Sequence, residues 1–417
     1  MAVKSRWVAL ALAVTAIAAP AQGEPDLRSV LNATIESHED EIIALRRDLH
    51  RHPEISGEEE RTAAVLADAL RGYGYDVRTG VGGHGLVATL PGATVGPLMA
   101  YRADMDAVRD PSPDPVAFAS VNEGVRHICG HDMHMAIAMS MAQAFAIHRE
   151  QLPGSVTFIF QPAEESTQGA RDMLADNVFA ERMPDAIYGL HSAPMPTGTI
   201  GAAKGVMMPA RDRIVIRIEG EKASLAGEAM RDAVVGLNTL ESPFSSQPLD
   251  SDFASVPGAN LEVNSQSEVV VGSFLTRAVD HVSADAEARL KEAAEAMRDR
   301  YPGTRIAIEY DPANVPGVVN DPDLTALALA DARSILSADA VAEFETLIPS
   351  FSEDFGHFQR VVPGAFFFLG MTGPGSATPA MPHSPGFVAD EAALMFGARV
   401  MSHVMIAQME RLAEAGG

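Results

Sequence analysis

Cysteine is nearly absent from this chain: Cys129 is the only one in 417 residues. A lone thiol cannot close an intramolecular disulfide, so no disulfide framework holds this fold, and Cys129 is either an idle thiol or a ligand. Basic residues are also scarce, with 31 Lys and Arg against 56 Asp and Glu, a formal charge of −25 and a pI near 4.8. Without clustered Lys and Arg there is no footprint for a phosphate backbone, which excludes a nucleic-acid partner. Long apolar runs are missing beyond the N-terminus. There, Lys4 and Arg6 precede an apolar run from Trp7 to Ala18, followed by the small residues Ala19-Pro20-Ala21, which predicts a signal peptide over residues 1–23 and a secreted or periplasmic protein. That run is short for a membrane span and no later stretch reaches spanning length free of charge, so the mature form is expected to have no membrane partner.

What is present is a 47% hydrophobic chain, long enough for a full core and about two domains. Its densest chemistry is His127-Ile128-Cys129-Gly130-His131-Asp132-Met133-His134, four metal-capable side chains and a carboxylate in eight residues. A thiolate and an imidazole two positions apart, loosened by Gly130, can converge on a divalent metal, with Asp132 as a further ligand or a support.

The flanking pattern is α/β. One helix carries Ile42, Ile43, Leu45 and Leu49 and stops at Pro53; a second starts near Glu58 and stops at Gly72. Strands at Val87–Leu90 and Leu98–Tyr101 follow, the latter running into Arg102-Ala103-Asp104-Met105-Asp106. A strand at Val156–Phe160 precedes Gln161-Pro162-Ala163-Glu164-Glu165, and one at Ala186–Leu190 precedes His191. Acid and imidazole groups just past buried strands stand where open α/β sheets build their sites. Between them a Met- and Ala-rich helix through Ile137, Met141 and Phe145 reads as core. From Arg213 to about Asp311 the pattern changes to a small α+β unit. It has alternating Ile214, Ile216 and Ile218, a helix over 227–240, a Ser- and Pro-rich loop over 242–257, strands at 269–271 and 306–308, and a helix capped by Ser283. The larger pattern then resumes with a helix over 323–336, a strand over 365–369, a loop ending at His383-Ser384-Pro385 and a closing helix.

In order along the chain stand Arg46-Arg47-Asp48-Leu49-His50-Arg51-His52-Pro53-Glu54, Arg102-Ala103-Asp104-Met105-Asp106, Cys129-Gly130-His131-Asp132, Gln161-Pro162-Ala163-Glu164-Glu165, Gly189-Leu190-His191, Ser352-Glu353-Asp354-Phe355 and His383-Ser384-Pro385. Each is weak alone; together the set resembles the hippurate hydrolase and auxin-conjugate hydrolase family of metal-dependent amidohydrolases, relatives of aminoacylases and zinc carboxypeptidases. The resemblance implies an α/β catalytic domain (24–212 and 312–417) interrupted by a ferredoxin-like lid and dimerisation domain (213–311), and a homodimer through that lid. It implies two divalent metal ions, Zn²⁺ or Mn²⁺, on Cys129, His131, Glu165, His191 and His383. Glu164 would be the general base, Asp104 the carboxylate that orients a ligand histidine or bridges by hydrogen bond, and Asn264 and Arg277 substrate-binding residues of the lid, with His134 and Glu353 structural neighbours. The activity implied is hydrolysis of N-acyl amino acids or small peptides by metal-activated water, the alternative being a catalytically reduced member that only binds metal and ligand. One departure stands out in Ala223-Ser224-Leu225-Ala226-Gly227: relatives place an oxyanion-stabilising histidine at Leu225. A leucine there is expected to line the pocket beneath a closed lid.

Overall fold

The computed structural model describes residues 26–237, 260–263, 267–276, 280–344, 352–376 and 378–416. The expected signal peptide, the 242–257 loop, Asn264 and Arg277 lie outside the described residues.

Runs of β-branched and aromatic residues form an eight-stranded mixed sheet, in the order Asp76–Val81, Gly85–Leu90, Ser155–Gln161, Leu98–Asp104, Ala186–Pro196, Gly364–Thr372, Ile200–Ala202, Val341–Glu343. Its centre is parallel: Leu98–Asp104 pairs in parallel with Ser155–Gln161 and with Ala186–Pro196, and the latter with Gly364–Thr372. All seven residues of Leu98–Asp104 are buried, as a strand covered on both faces must be. One face is packed by helices Leu27–Ser37, Glu39–Arg51, Glu60–Tyr73, His131–Ile147 and Ala392–Gly416 in one continuous apolar cluster. The helix His131–Ile147 is buried on every side from His131 to Phe145, so its methionines are core as expected. The closing helix is long and apolar enough to cross a membrane by length and composition, yet it is largely buried within the fold.

The smaller unit forms a separate antiparallel sheet in the order Asn260–Val263, Ser267–Thr276, Ala210–Glu219, Arg305–Val315. Helices Ala223–Val235 and Asp280–Arg300 cover it, around a core of its own that contains Ile214, Ile216, Ile218 and Leu290. The chain order strand, helix, strand, strand, helix, strand gives the ferredoxin-like topology expected.

Several boundaries differ from the sequence reading. The second helix ends at Gly74 rather than Gly72, because Gly74 adopts the left-handed φ of 91° that closes a helix. Ser283 lies inside the helix Asp280–Arg300 rather than at its cap. His191 does not follow its strand but sits within it, since pairing with Gly364–Thr372 carries Ala186–Pro196 well past Leu190. The amphipathic helix Leu27–Ser37 and the short strand Val341–Glu343, three residues without a periodic signature, escaped sequence reading.

Candidate metal centre and active site

The central parallel strands deliver polar groups to one edge of the large sheet. Asp104 is the last residue of its strand, Glu164 and Glu165 lie just beyond Gln161, and Cys129 and His131 lead into the helix His131–Ile147. Gly130 makes that entry possible: its φ is 90°, and a Cβ there would meet Ser192 Oγ at 3.0 Å. Ser192 Oγ donates to the Cys129 carbonyl at 2.6 Å, fixing the segment against the neighbouring strand.

Three imidazoles meet here, and their hydrogen bonds separate their roles. His131 Nδ1 donates to the Asp106 carbonyl at 2.8 Å, which leaves its buried Nε2 without a partner. His191 Nδ1 likewise donates to the Ser192 carbonyl at 2.8 Å, and its Nε2 lies 3.2 Å from Cys129 Sγ. His134 differs: its Nε2 accepts the Ser192 amide at 2.9 Å and its Nδ1 donates to Asp104 at 2.6 Å, so neither nitrogen is free for a metal. A backbone carbonyl on Nδ1 that fixes a bare Nε2 is the arrangement of metal-binding histidines. His383 Nε2 lies 3.2 Å from Glu165 Oε1, a buried oxygen with no hydrogen-bond partner.

Donor atoms of Cys129, His131 and His191 lie within 4.8 Å of one another, as do those of Cys129, Glu165 and His383. Thiolate, imidazole and carboxylate suit Zn²⁺ or Mn²⁺, and the unpartnered Nε2 and Oε1 converge without competing bonds, so the residues present fit a divalent metal centre. The titration behaviour reflects the same surplus of negative charge. Burial, then the charges of Glu165 and Glu164, push the Cys129 thiol well above its ordinary value. Burial opposes the charge on His131, but Asp104 and Asp106 outweigh it and raise the imidazole to about 10. A bound dication reverses both tendencies.

Glu164 is buried beside this cluster, its carboxylate 3.9 Å from His131 Nε2. Burial first, then Glu353 and Glu165, hold its pKa well above the carboxylate range. Beneath it Arg102, fully buried, joins Asp104 at 2.7 Å, Glu353 at 2.8 Å, Asp354 at 3.1 Å and Gln161 at 2.8 Å. The loop that carries Glu164 and Glu165 is pinned by Glu59, which accepts the Ala163 amide at 2.8 Å, and by Asp106, which accepts the Glu165 amide at 2.9 Å.

Two open assignments are decided by this geometry. Asp104 bridges by hydrogen bond instead of orienting a presumptive ligand: one oxygen is on His134, the other on Arg102, and His131 Nε2 is 3.7 Å away. It is a buried positioning residue, and the Asp106 carbonyl does the orienting on His131. Asp132 is a support: it meets Arg46 and His50 at 2.8 Å each, tying helix Glu39–Arg51 to His131–Ile147. His127 stays outside the donor groups, buried with neither ring nitrogen partnered. Glu59 and Ser192 were missed because their bonds to the Ala163 amide and the Cys129 carbonyl are long-range and leave no local pattern, and Arg102, though inside one of the sequence motifs, was given no role.

Over the cluster opens a cavity of about 630 Å³. Cys129, Glu164, Glu165, His191 and His383 line one part of it, and Met195, Met208, Phe344, Phe368 and Met381 form apolar walls. Leu225 is not among its lining residues; it is 50% exposed on the helix Ala223–Val235.

A parallel-centred sheet that brings soft and hard metal donors to its carboxyl edge beside a buried acid defines a metallohydrolase. The model of peptidase family M20/M25/M40 matches residues 100–407, and the chain belongs to that family. It is a metal-dependent hydrolase of amide bonds. N-acetyldiaminopimelate deacetylase of Bacillus subtilis is 31% identical over 345 residues, 79% of this chain and 90% of the deacetylase. Thermostable carboxypeptidase 1 of Saccharolobus solfataricus is 27% identical over 396 residues, 92% of this chain and 98% of the carboxypeptidase. The crystal structure of the YXEP protein of Bacillus subtilis, a dinuclear metal binding peptidase from the M20 family, matches with a TM-score of 0.74 at 27% identity, covering 90% of this chain and 99% of YXEP.

Proposed function

We propose that this hydrolase cleaves N-acyl amino acids with an apolar acyl group, in the manner of the hippurate and auxin-conjugate hydrolases. The observation that carries this reading is the cavity itself, which sets Glu164 and the donor cluster against Met195, Phe344 and Phe368. Such a wall suits an aromatic or aliphatic group next to the scissile amide.

Cys129, His131, Glu165, His191 and His383 would hold two divalent ions. When bound, these supply the polarisation of the amide carbonyl and the acidification of water. Glu164 takes a proton from the attacking water as its oxygen bonds to the carbonyl carbon. It then delivers that proton to the amide nitrogen as the C–N bond breaks, giving a carboxylic acid and an amine. Glu164 is placed for both halves of this shuttle, because its buried carboxylate stands beside the donor cluster, 3.9 Å from His131 Nε2. Residues 213–311 would act as lid and dimerisation domain.

Metal analysis combined with a hydrolysis screen over N-benzoyl, N-acetyl and indoleacetyl amino acids tests this reading. Turnover fastest on the N-benzoyl or indoleacetyl series is expected. Full metal content with no turnover on any amide would leave a binding protein instead.

A further inference from the structure

The cavity holds one cationic side chain that this chemistry does not use. Arg211 is the second residue of Ala210–Glu219, where the chain leaves the large sheet for the small one, and it is the only Lys or Arg among the described lining residues. The buried arginines Arg46, Arg102 and Arg126 all meet carboxylates. Arg211, half-buried, has no carboxylate partner among the described residues; Nη2 donates to Thr167 Oγ1 at 2.6 Å.

Both supports of this guanidinium are irregular backbone. Thr167 holds a φ of 57°, an outlier for a β-branched residue, worth about 1–3 kcal/mol of strain. Its hydroxyl donates to the Ser166 carbonyl and its amide to the Glu164 carbonyl, so an oxygen lone pair is left for Arg211. On the other side the pairing with Arg305–Val315 is irregular, Arg211 standing opposite Val315 and Arg213 opposite Asp311. Buried Asp212 pins this bulge by accepting from the Tyr310 hydroxyl at 2.6 Å and the Ala313 amide at 2.7 Å. Bulges re-aim side chains beside sites.

We propose that Arg211 is a specificity-determining residue that receives a carboxylate carried by the substrate, a reading that rests on the amide hydrolysis proposed above. A guanidinium fork facing a largely apolar cavity pairs best with a planar carboxylate. The carboxylate whose charge reaches Arg211 is Glu164, which the proton shuttle uses and which makes no ion pair with it among the described residues; of the other acids in the wall, Glu353 is committed to Arg102 and Glu165 to the donor cluster.

The test is calorimetric titration of metal-loaded Glu164→Gln and of Glu164→Gln/Arg211→Gln, with matched melting curves as the folding control. The probes are N-benzoylleucine, its carboxamide, and N-benzoylaspartate α-amide, which carries only a side-chain carboxylate. Loss of Arg211 is expected to weaken one of the two acids by roughly 10- to 100-fold, the scale of a charge-assisted pair, and the neutral carboxamide by less than about twofold. Which acid suffers identifies the α-carboxylate or the side-chain carboxylate as the one held. Equal affinities in both proteins, or no binding of either acid to the parent, would overturn the proposal. In the Glu164 background, Arg211→Gln should raise KM for that acid far more than it lowers kcat, with Arg211→Lys intermediate. A kcat loss shared by acid and carboxamide would place Arg211 at the reacting carbonyl instead. If the parent enzyme hydrolyses no amide, the substrate reading fails, while the titration still decides whether Arg211 binds a carboxylate.

Discussion

The floor and the roof of the site are built on different principles. In the floor the charges are buried and joined in one network: Arg102 meets Asp104, Glu353 and Asp354, and Asp104 in turn holds His134. In the roof Arg211 is half-buried, rests on one hydroxyl, and faces open volume. A saturated network cannot yield a charge to a ligand without leaving another buried and alone, so the floor fixes geometry. A cation held by one neutral oxygen has donors to spare, so the roof is where a substrate can be recognised.

The strongest way to break this contrast is to remove the floor's cation. Arg102→Met leaves three carboxylates uncompensated and should destabilise the protein by about 3–5 kcal/mol, read by urea unfolding of the metal-free protein. A loss below about 1 kcal/mol would show that the network is not balanced by Arg102. Next in size, Glu164→Gln should keep the full metal content yet lower kcat by at least about 10²-fold, while Glu165→Gln and Cys129→Ala lose metal and activity together. Metal analysis of the three variants beside their kinetics separates the roles, and metal loss from Glu164→Gln would mean that the neighbouring carboxylates have been exchanged.

A milder test lies where the helix Glu39–Arg51 meets Asp132 in the first turn of His131–Ile147. Burial opposes charge on His50, but Asp132 and Asp114 outweigh it and raise its pKa. Stability from His50 is therefore fully present below its unfolded value, about 6.5, and is lost as pH rises through the folded value. Asp132 is held far below the carboxylate range, against burial, by Arg46 and His50. Its contribution is present above its unfolded value of about 3.9 and fades in acid. His50→Gln should cost about 1.5–3 kcal/mol near pH 6 and progressively less toward pH 9, measured by melting temperature. A cost independent of pH would remove the imidazolium from the account. The smallest effect is expected from Leu225→His: because Leu225 is exposed and outside the cavity wall, stability should stay within about 0.5 kcal/mol and relative rates across N-acyl amino acids should hardly move. A selective gain on small acyl groups would bring residue 225 to the carbonyl within an assembly.

Cys129, His131, Glu164, Glu165, His191 and His383 were singled out in the sequence by the family resemblance their motifs carry, while the strand pattern showed only that Glu164, Glu165 and His191 stand near the ends of buried strands. The α/β pattern, the Met-rich core helix and the inserted smaller unit were legible because local periodicity records which face is buried. Tertiary structure alone decided which histidines keep a free Nε2. His131 and His134 lie three residues apart on one helix, and only the Asp106 carbonyl and the Ser192 amide, both remote in sequence, tell them apart. The same holds for Asp104, whose two readings only its bonds to His134 and Arg102 could separate, and for Arg211, which carries no motif. Hydrophobic pattern is a property of neighbours along the chain, whereas the partner of a hydrogen bond is a property of neighbours in space.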